Sequence, residues 1–169
     1  MPLTLTGAGA ITGLTSVPTT GLQLADGNMP AGSVLQVVQG TLTGQVVYSS
    51  PTSFTQTNLT ASITPTSASS KILVMMAYAF YNASSGQNFQ ATVYRNNSTN
   101  LSPNSGNAFS IAFIGGATEI KVPFSFNYLD SPATTSSTSY TCWVRSSSGS
   151  IHFGDGSGAG TVILMEIAA

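Results

Sequence analysis

From Ser33 onward the chain is a succession of short β-rich runs. They are Ser33–Val38, Gln45–Tyr48, Leu59–Ile63, Lys71–Tyr81, Phe89–Arg95, Ala108–Ile114, Glu119–Leu129, Ser139–Arg145 and Thr161–Ile167. Several alternate with a period of two: Phe89, Ala91 and Val93 share one face, as do Ile120, Val122, Phe124, Phe126 and Tyr128. That period belongs to strands with one face in a core. Turn-forming clusters lie between the runs, among them Gly40-Thr-Leu-Thr-Gly44, Asn96-Asn-Ser98, Asn104-Ser-Gly106 and Ser147-Ser-Gly149. No segment sustains a 3.6-residue apolar period with caps. The pattern therefore predicts an all-β fold of about eight to ten strands, an antiparallel β-sandwich of jelly-roll-like kind. An immunoglobulin-type sandwich is the alternative, although the cysteine pair of true immunoglobulin domains is missing. Pro123 stands inside a good strand and predicts a bulge or an edge there.

Two runs are apolar on both faces. In Lys71–Tyr81 one face is Ile72, Val74, Met76, Tyr78 and Phe80, and the other is Leu73, Met75, Ala77, Ala79 and Tyr81. Thr161–Ile167 sets Val162 and Leu164 against Ile163, Met165 and Ile167. A strand covered on both sides of a two-layer fold needs a second cover from outside the sheet pair. A partner subunit, the N-terminal segment or an overlying loop each supply one. Leu73, Met75, Tyr81, Ile163, Met165 and Ile167 are accordingly the candidate oligomer interface.

The first 32 residues read differently. Gly7, Gly9, Gly13 and Gly21 break any helical pattern, and Pro18 and Pro30 punctuate it. Such a segment makes no core of its own. Its apolar residues, Leu3, Leu5, Ile11 and Leu14 foremost, suit an extended arm that orders by docking on a partner. The expected organisation is an arm over 1–32 and one sandwich domain over 33–169.

Composition narrows the function. Of 169 residues, 5% are charged, against roughly 25% in ordinary soluble proteins, while 41% are hydrophobic. So low a charge favours association and suits a particle component packed beside copies of itself. The net charge is −1 and the four basic residues, Lys71, Arg95, Lys121 and Arg145, are scattered. Nucleic-acid binding, which needs clustered cations, is not expected. No secretory signal and no apolar run of spanning length are visible, so assembly in a cytoplasm and no membrane insertion are expected. Cys142, the one cysteine, reads as a small buried hydrophobe.

Candidate chemistry is sparse. His152 is the single histidine, and no Gly-x-Ser-x-Gly elbow accompanies it. The carboxylates Asp26, Glu119, Asp130, Asp155 and Glu166 lie far apart in sequence, which gives no glycosidase pair. One histidine and one cysteine make no zinc site. No enzyme activity, cofactor or metal is expected. Five Asn-x-Ser/Thr sequons, at Asn58, Asn82, Asn96, Asn97 and Asn100, follow from the Asn-, Ser- and Thr-rich composition. Polar loops near aromatic side chains can hold a sugar without catalytic groups, which makes Tyr94 and Trp143 candidate glycan contacts.

Five stretches together carry a resemblance. They are Met29-Pro-Ala-Gly-Ser-Val-Leu-Gln-Val-Val38, the segment from Leu59 to Val74, Val93-Tyr-Arg-Asn-Asn-Ser-Thr-Asn-Leu101, Tyr128-Leu-Asp-Ser-Pro-Ala-Thr-Thr-Ser136 with Tyr140, and Leu164-Met-Glu-Ile-Ala168. In this order they resemble small tail-fibre-like structural proteins from virions of tailed bacteriophages, notably those of aquatic bacteria and cyanobacteria. The resemblance implies a trimeric or otherwise oligomeric β-sandwich on a virion and carries no catalytic residues. On that reading the arm tethers the protein to other virion proteins and the loops face host surface glycans. The alternative is a head decoration or cement protein that stabilises a capsid.

Overall fold

The computed structural model describes residues 29–82, 86–104, 108–115, 120–154 and 159–169. These form eleven strands and, among the described residues, no helix: β1 Val34–Thr43, β2 Val46–Tyr48, β3 Thr55–Ile63, β4 Lys71–Asn82, β5 Gln87–Arg95, β6 Thr99–Asn100, β7 Ser110–Ile114, β8 Ile120–Asp130, β9 Thr138–Ser146, β10 Ile151–Phe153 and β11 Ala159–Ile167. The arm expected over 1–32, with Leu3, Leu5, Ile11 and Leu14, lies outside the described residues apart from its last few.

Setting aside the short β2, β6 and β10, eight strands divide between two antiparallel sheets. The first runs β1–β11–β4–β8 and the second β3–β9–β5–β7. The pairings β1 with β11, β3 with β9, β4 with β8 and β5 with β7 match first with last, second with second-last, and so inward. This is one long eight-strand hairpin rolled into two layers, the jelly-roll connection. The expected jelly roll is thus the fold, and the immunoglobulin alternative falls away. β10 and β2 lengthen the first sheet where β11 and β1 end.

Alternation builds the core. Ile72, Val74, Met76, Tyr78 and Phe80 of β4 point inward against Phe89, Ala91 and Val93 of β5 and Tyr140, Cys142 and Val144 of β9. Each such burial contributes about 1.5–3 kcal/mol for the larger side chains. An aromatic cluster fills one end, with Phe80 centred 4.2 Å from Phe124 and 5.3 Å from Phe89, and Tyr78 4.8 Å from Phe153. Beyond β8, Phe109 stacks on Phe126 at 5.1 Å.

Two details differ from the sequence pattern for physical reasons, and a third agrees with it. β1 does not stop at Val38 but continues to Thr43 through Gly40, because Gly40 marks a close approach to Thr60 rather than a turn. β3 begins at Thr55, four residues before the apolar alternation shows, because the inward position there is filled by the polar Thr57. There Thr57 turns inward, and its hydroxyl donates to the Cys142 carbonyl at 2.8 Å. Pro123 sits opposite Ala79 on β8, which pairs only with β4 among the described residues, so the edge reading holds.

Candidate interaction surfaces

The six interface candidates lie together on the outer face of the first sheet. Cross-strand register orders that face into rows. Leu129, Leu73, Met165 and Val37 form one row across β8, β4, β11 and β1. Asn127, Met75, Ile163 and Gln39 form the next. Then come the small side chains Ser125, Ala77, Thr161 and Thr41, followed by Pro123 and Ala79. Lys121, Tyr81, His152 and Val47 close the face. Leu73, Met75, Tyr81, Ile163, Met165 and Ile167 are each half-buried. Sequence reasoning missed exposed apolar members of this face, Val37 at 55% and Leu129 at 48% among them, with Val34 and Val47 nearer its ends. The strands of Val37 and Leu129 carry polar neighbours on the same face (Gln39, Asn127), so neither run looks doubly apolar by itself.

Tyr94 and Trp143 are also brought together, on the outer face of the second sheet. Their rings stack at 4.3 Å and 29°. Phe54 meets Tyr94 edge-on at 6.4 Å, and the Arg145 guanidinium lies 4.5 Å over the Phe54 ring. Around them Arg145 Nε donates to Gln90 Oε1 and the Thr92 hydroxyl donates to Asn100 Oδ1 at 2.6 Å, while the Trp143 indole nitrogen is buried with no hydrogen-bond partner among the described residues.

The titratable side chains serve the fold. Arg95 Nη1 donates to both Asp130 oxygens at 2.9 Å, and the Tyr140 hydroxyl donates to Asp130 Oδ2 at 2.8 Å. Burial, then the Asp130 carboxylate, pushes the Tyr140 phenol above its ordinary range. Glu166 is fully buried and accepts from Gln36 Nε2 at 2.6 Å and from the Thr66 amide and hydroxyl at 2.7 and 2.8 Å. Burial pushes its pKa up, but these donors outweigh it and hold the carboxyl below its ordinary value. Burial pushes the Cys142 thiol up to about 12. His152 pairs Nδ1 with Gln45 Oε1 at 3.2 Å and meets Tyr81 edge-on at 5.0 Å. Among the described residues no three His, Cys, Asp or Glu side chains gather as metal ligands. No helix among them is long and apolar enough to cross a membrane. Asp26, Glu119 and Asp155 lie outside the described residues.

No protein-family model matches the chain, and no curated protein matches it. Among solved structures it is similar to VP2 of infectious bursal disease virus. The VP2 subviral particle aligns over 81% of this chain and 39% of that one, at 17% identity and a TM-score of 0.44. A mutant VP2 in derived T=1 particles aligns over 90% and 41%, at 17% identity and 0.43. The Gx strain of the same virus aligns over 90% and 42%, at 17% identity and 0.42. The chain spans about two fifths of the length of these neighbours.

Proposed function

We propose that this chain is a non-enzymatic structural protein of a virion, a tail-fibre-type component of a tailed phage that assembles with copies of itself. The observation that carries this reading is the outer face of the first sheet. One row of it, Leu129, Leu73, Met165 and Val37, is apolar across four adjacent strands, and Met75 and Ile163 extend it along β4 and β11; apolar surface left open in this way marks an interaction site. A low-charge jelly roll with such a face is suited to a packed particle. The sequence resemblance to tail-fibre-like virion proteins supports the family and leaves a head decoration role as the alternative. The absence of catalysis is supported by the engagement of Asp130 and Glu166 in structural hydrogen bonds and by the pairing of His152 with an amide.

Quantitative mass spectrometry of purified virions tests the proposal. The chain is expected as a stoichiometric component in low copy number, as a tail position requires. Copy number on the scale of the capsid lattice favours the decoration role instead. Absence from the particle refutes both.

A further inference from the structure

We propose that the outer face of the first sheet seats a second copy of this chain about a two-fold axis, the ridge of each copy lying in the trough of the other. The inference deepens the structural reading above and rests on it for the nature of the partner.

The rows are not equal in height. The two rows that hold Leu73, Met165, Met75 and Ile163 stand up as a ridge. The next two, with Ala77 and Ala79 at their centre, are low. Two shallow depressions, of about 270 and 430 Å³, lie over these low rows, one bounded by Met75 and Ile163 and the other by Pro123. The row of Lys121, Tyr81 and His152 forms the far wall.

Consider a two-fold axis in the plane of contact, running along the rows and passing between the Met75 row and the Ala77 row. It turns each ridge over the other copy's trough. Met75 of one copy meets Ala77 of the second, and Leu73 meets Ala79. The same operation carries Lys71, at the near end of β4, to Tyr81 of the second copy, a cation beside an aromatic ring. Self-complementarity of one patch is what a two-fold, isologous contact requires. A three-fold ring joins two different patches and leaves this match unused.

The extent is adequate. Four strands about 4.8 Å apart and ten residues at about 3.3 Å each give a patch of roughly 600 Å² in projection. Side-chain relief raises its accessible area toward the roughly 800 Å² per partner of stable complexes.

The test is sedimentation of the full chain over a dilution series, with circular dichroism to confirm folding. The wild type is expected at the mass of two chains. Ala77→Met raises a side chain in the trough of both copies and weakens association about tenfold or more. Adding Met75→Ala exchanges ridge and trough at one shared contact, so the double variant returns to within about threefold of wild type. Ala77 is exposed, which leaves the core untouched by its replacement. Asn58→Trp, at an exposed position of the second sheet, changes nothing. A wild type that stays monomeric or sediments as three chains overturns the proposal, as does a double variant no better than Ala77→Met. None of these results bears on whether the chain is present in virions, which the particle measurement decides separately.

Discussion

Gly40→Ala and Gly160→Ala make the same chemical change on paired strands, and the structure predicts opposite outcomes. Gly40 stands opposite Val162, and Gly160 stands opposite Leu42, two residues further along β1. A Cβ at position 40 falls on the carbonyl oxygen of Thr60, inside any contact that real Cβ atoms make, and 2.9 Å from Val162 Cγ1. Thr60 belongs to β3 of the second sheet, so this is where the two layers meet at their corner. Backbone has no rotamer with which to move aside, and one strand must shift by about 1 Å. Overpacking of this kind costs about 1–3 kcal/mol, with a backbone obstacle at the upper end. Gly40 does not occupy the left-handed region, so space alone requires the glycine. Replacing it still returns about 0.5–1 kcal/mol of unfolded-chain entropy. The net loss is about 2 kcal/mol, a fall of about 4–8 °C in Tm for a domain of this size. At position 160 the nearest atoms are Leu59 Cδ2 and Tyr78 Cβ at 3.4 Å and Leu42 Cβ at 3.6 Å, ordinary contacts. There the entropy gain survives, and Tm rises by about 1–4 °C. Thermal melts by circular dichroism, supported by urea titration, read both values. Equal shifts for the two variants, or a Gly40→Ala protein as stable as wild type, refute the close approach of β1 to β3.

Three further outcomes are expected. Glu166→Gln removes the charge-assisted acceptor that ties β11 to Gln36 and Thr66, at a cost of about 2 kcal/mol in urea unfolding. Because the folded carboxyl titrates below its ordinary value of 4.5, the folded state holds fewer protons than the unfolded one as pH falls through that window. Wild-type stability therefore drops there, and Glu166→Gln flattens the acid limb of a stability-against-pH curve. Asp130→Asn weakens the acceptor shared by Arg95 and Tyr140, and in a double-mutant cycle with Tyr140→Phe the two losses are less than additive. Cys142, fully buried with its thiol pushed up to about 12, resists a thiol reagent in the native protein at pH 8 and reacts once per chain in denaturant.

Much of the fold is legible along the chain because each long strand of a sandwich carries its own period. The β4, β5, β8, β9 and β11 runs show it plainly, and the extra apolar face of Leu73, Met75, Ile163 and Met165 points to the exposed side of the first sheet. Local patterns do not reveal contacts made across layers. Gly40 reads as punctuation because its neighbour Thr60 is distant in sequence and comes close only when the corner closes. Thr55–Asn58 hides its strand because its inward residue is the polar Thr57, which is satisfied only by the Cys142 carbonyl of β9. Val37 and Leu129 join the apolar face only once β1 and β8 take their places beside β11 and β4. The structural carboxylates were equally silent, since Asp130 and Glu166 take their meaning from Arg95, Tyr140, Gln36 and Thr66 on other elements.

A jelly roll that is part of a virus particle must stay with that particle through purification. Mass spectrometry against isotope-labelled peptides of this chain, applied to virions purified through a density gradient and a high-salt wash, tests this most directly. The chain is expected to stay with the particle at a fixed ratio to the major capsid protein, far below one to one for a tail position. A chain found only in the soluble fraction of the lysate, with none in washed particles, contradicts it.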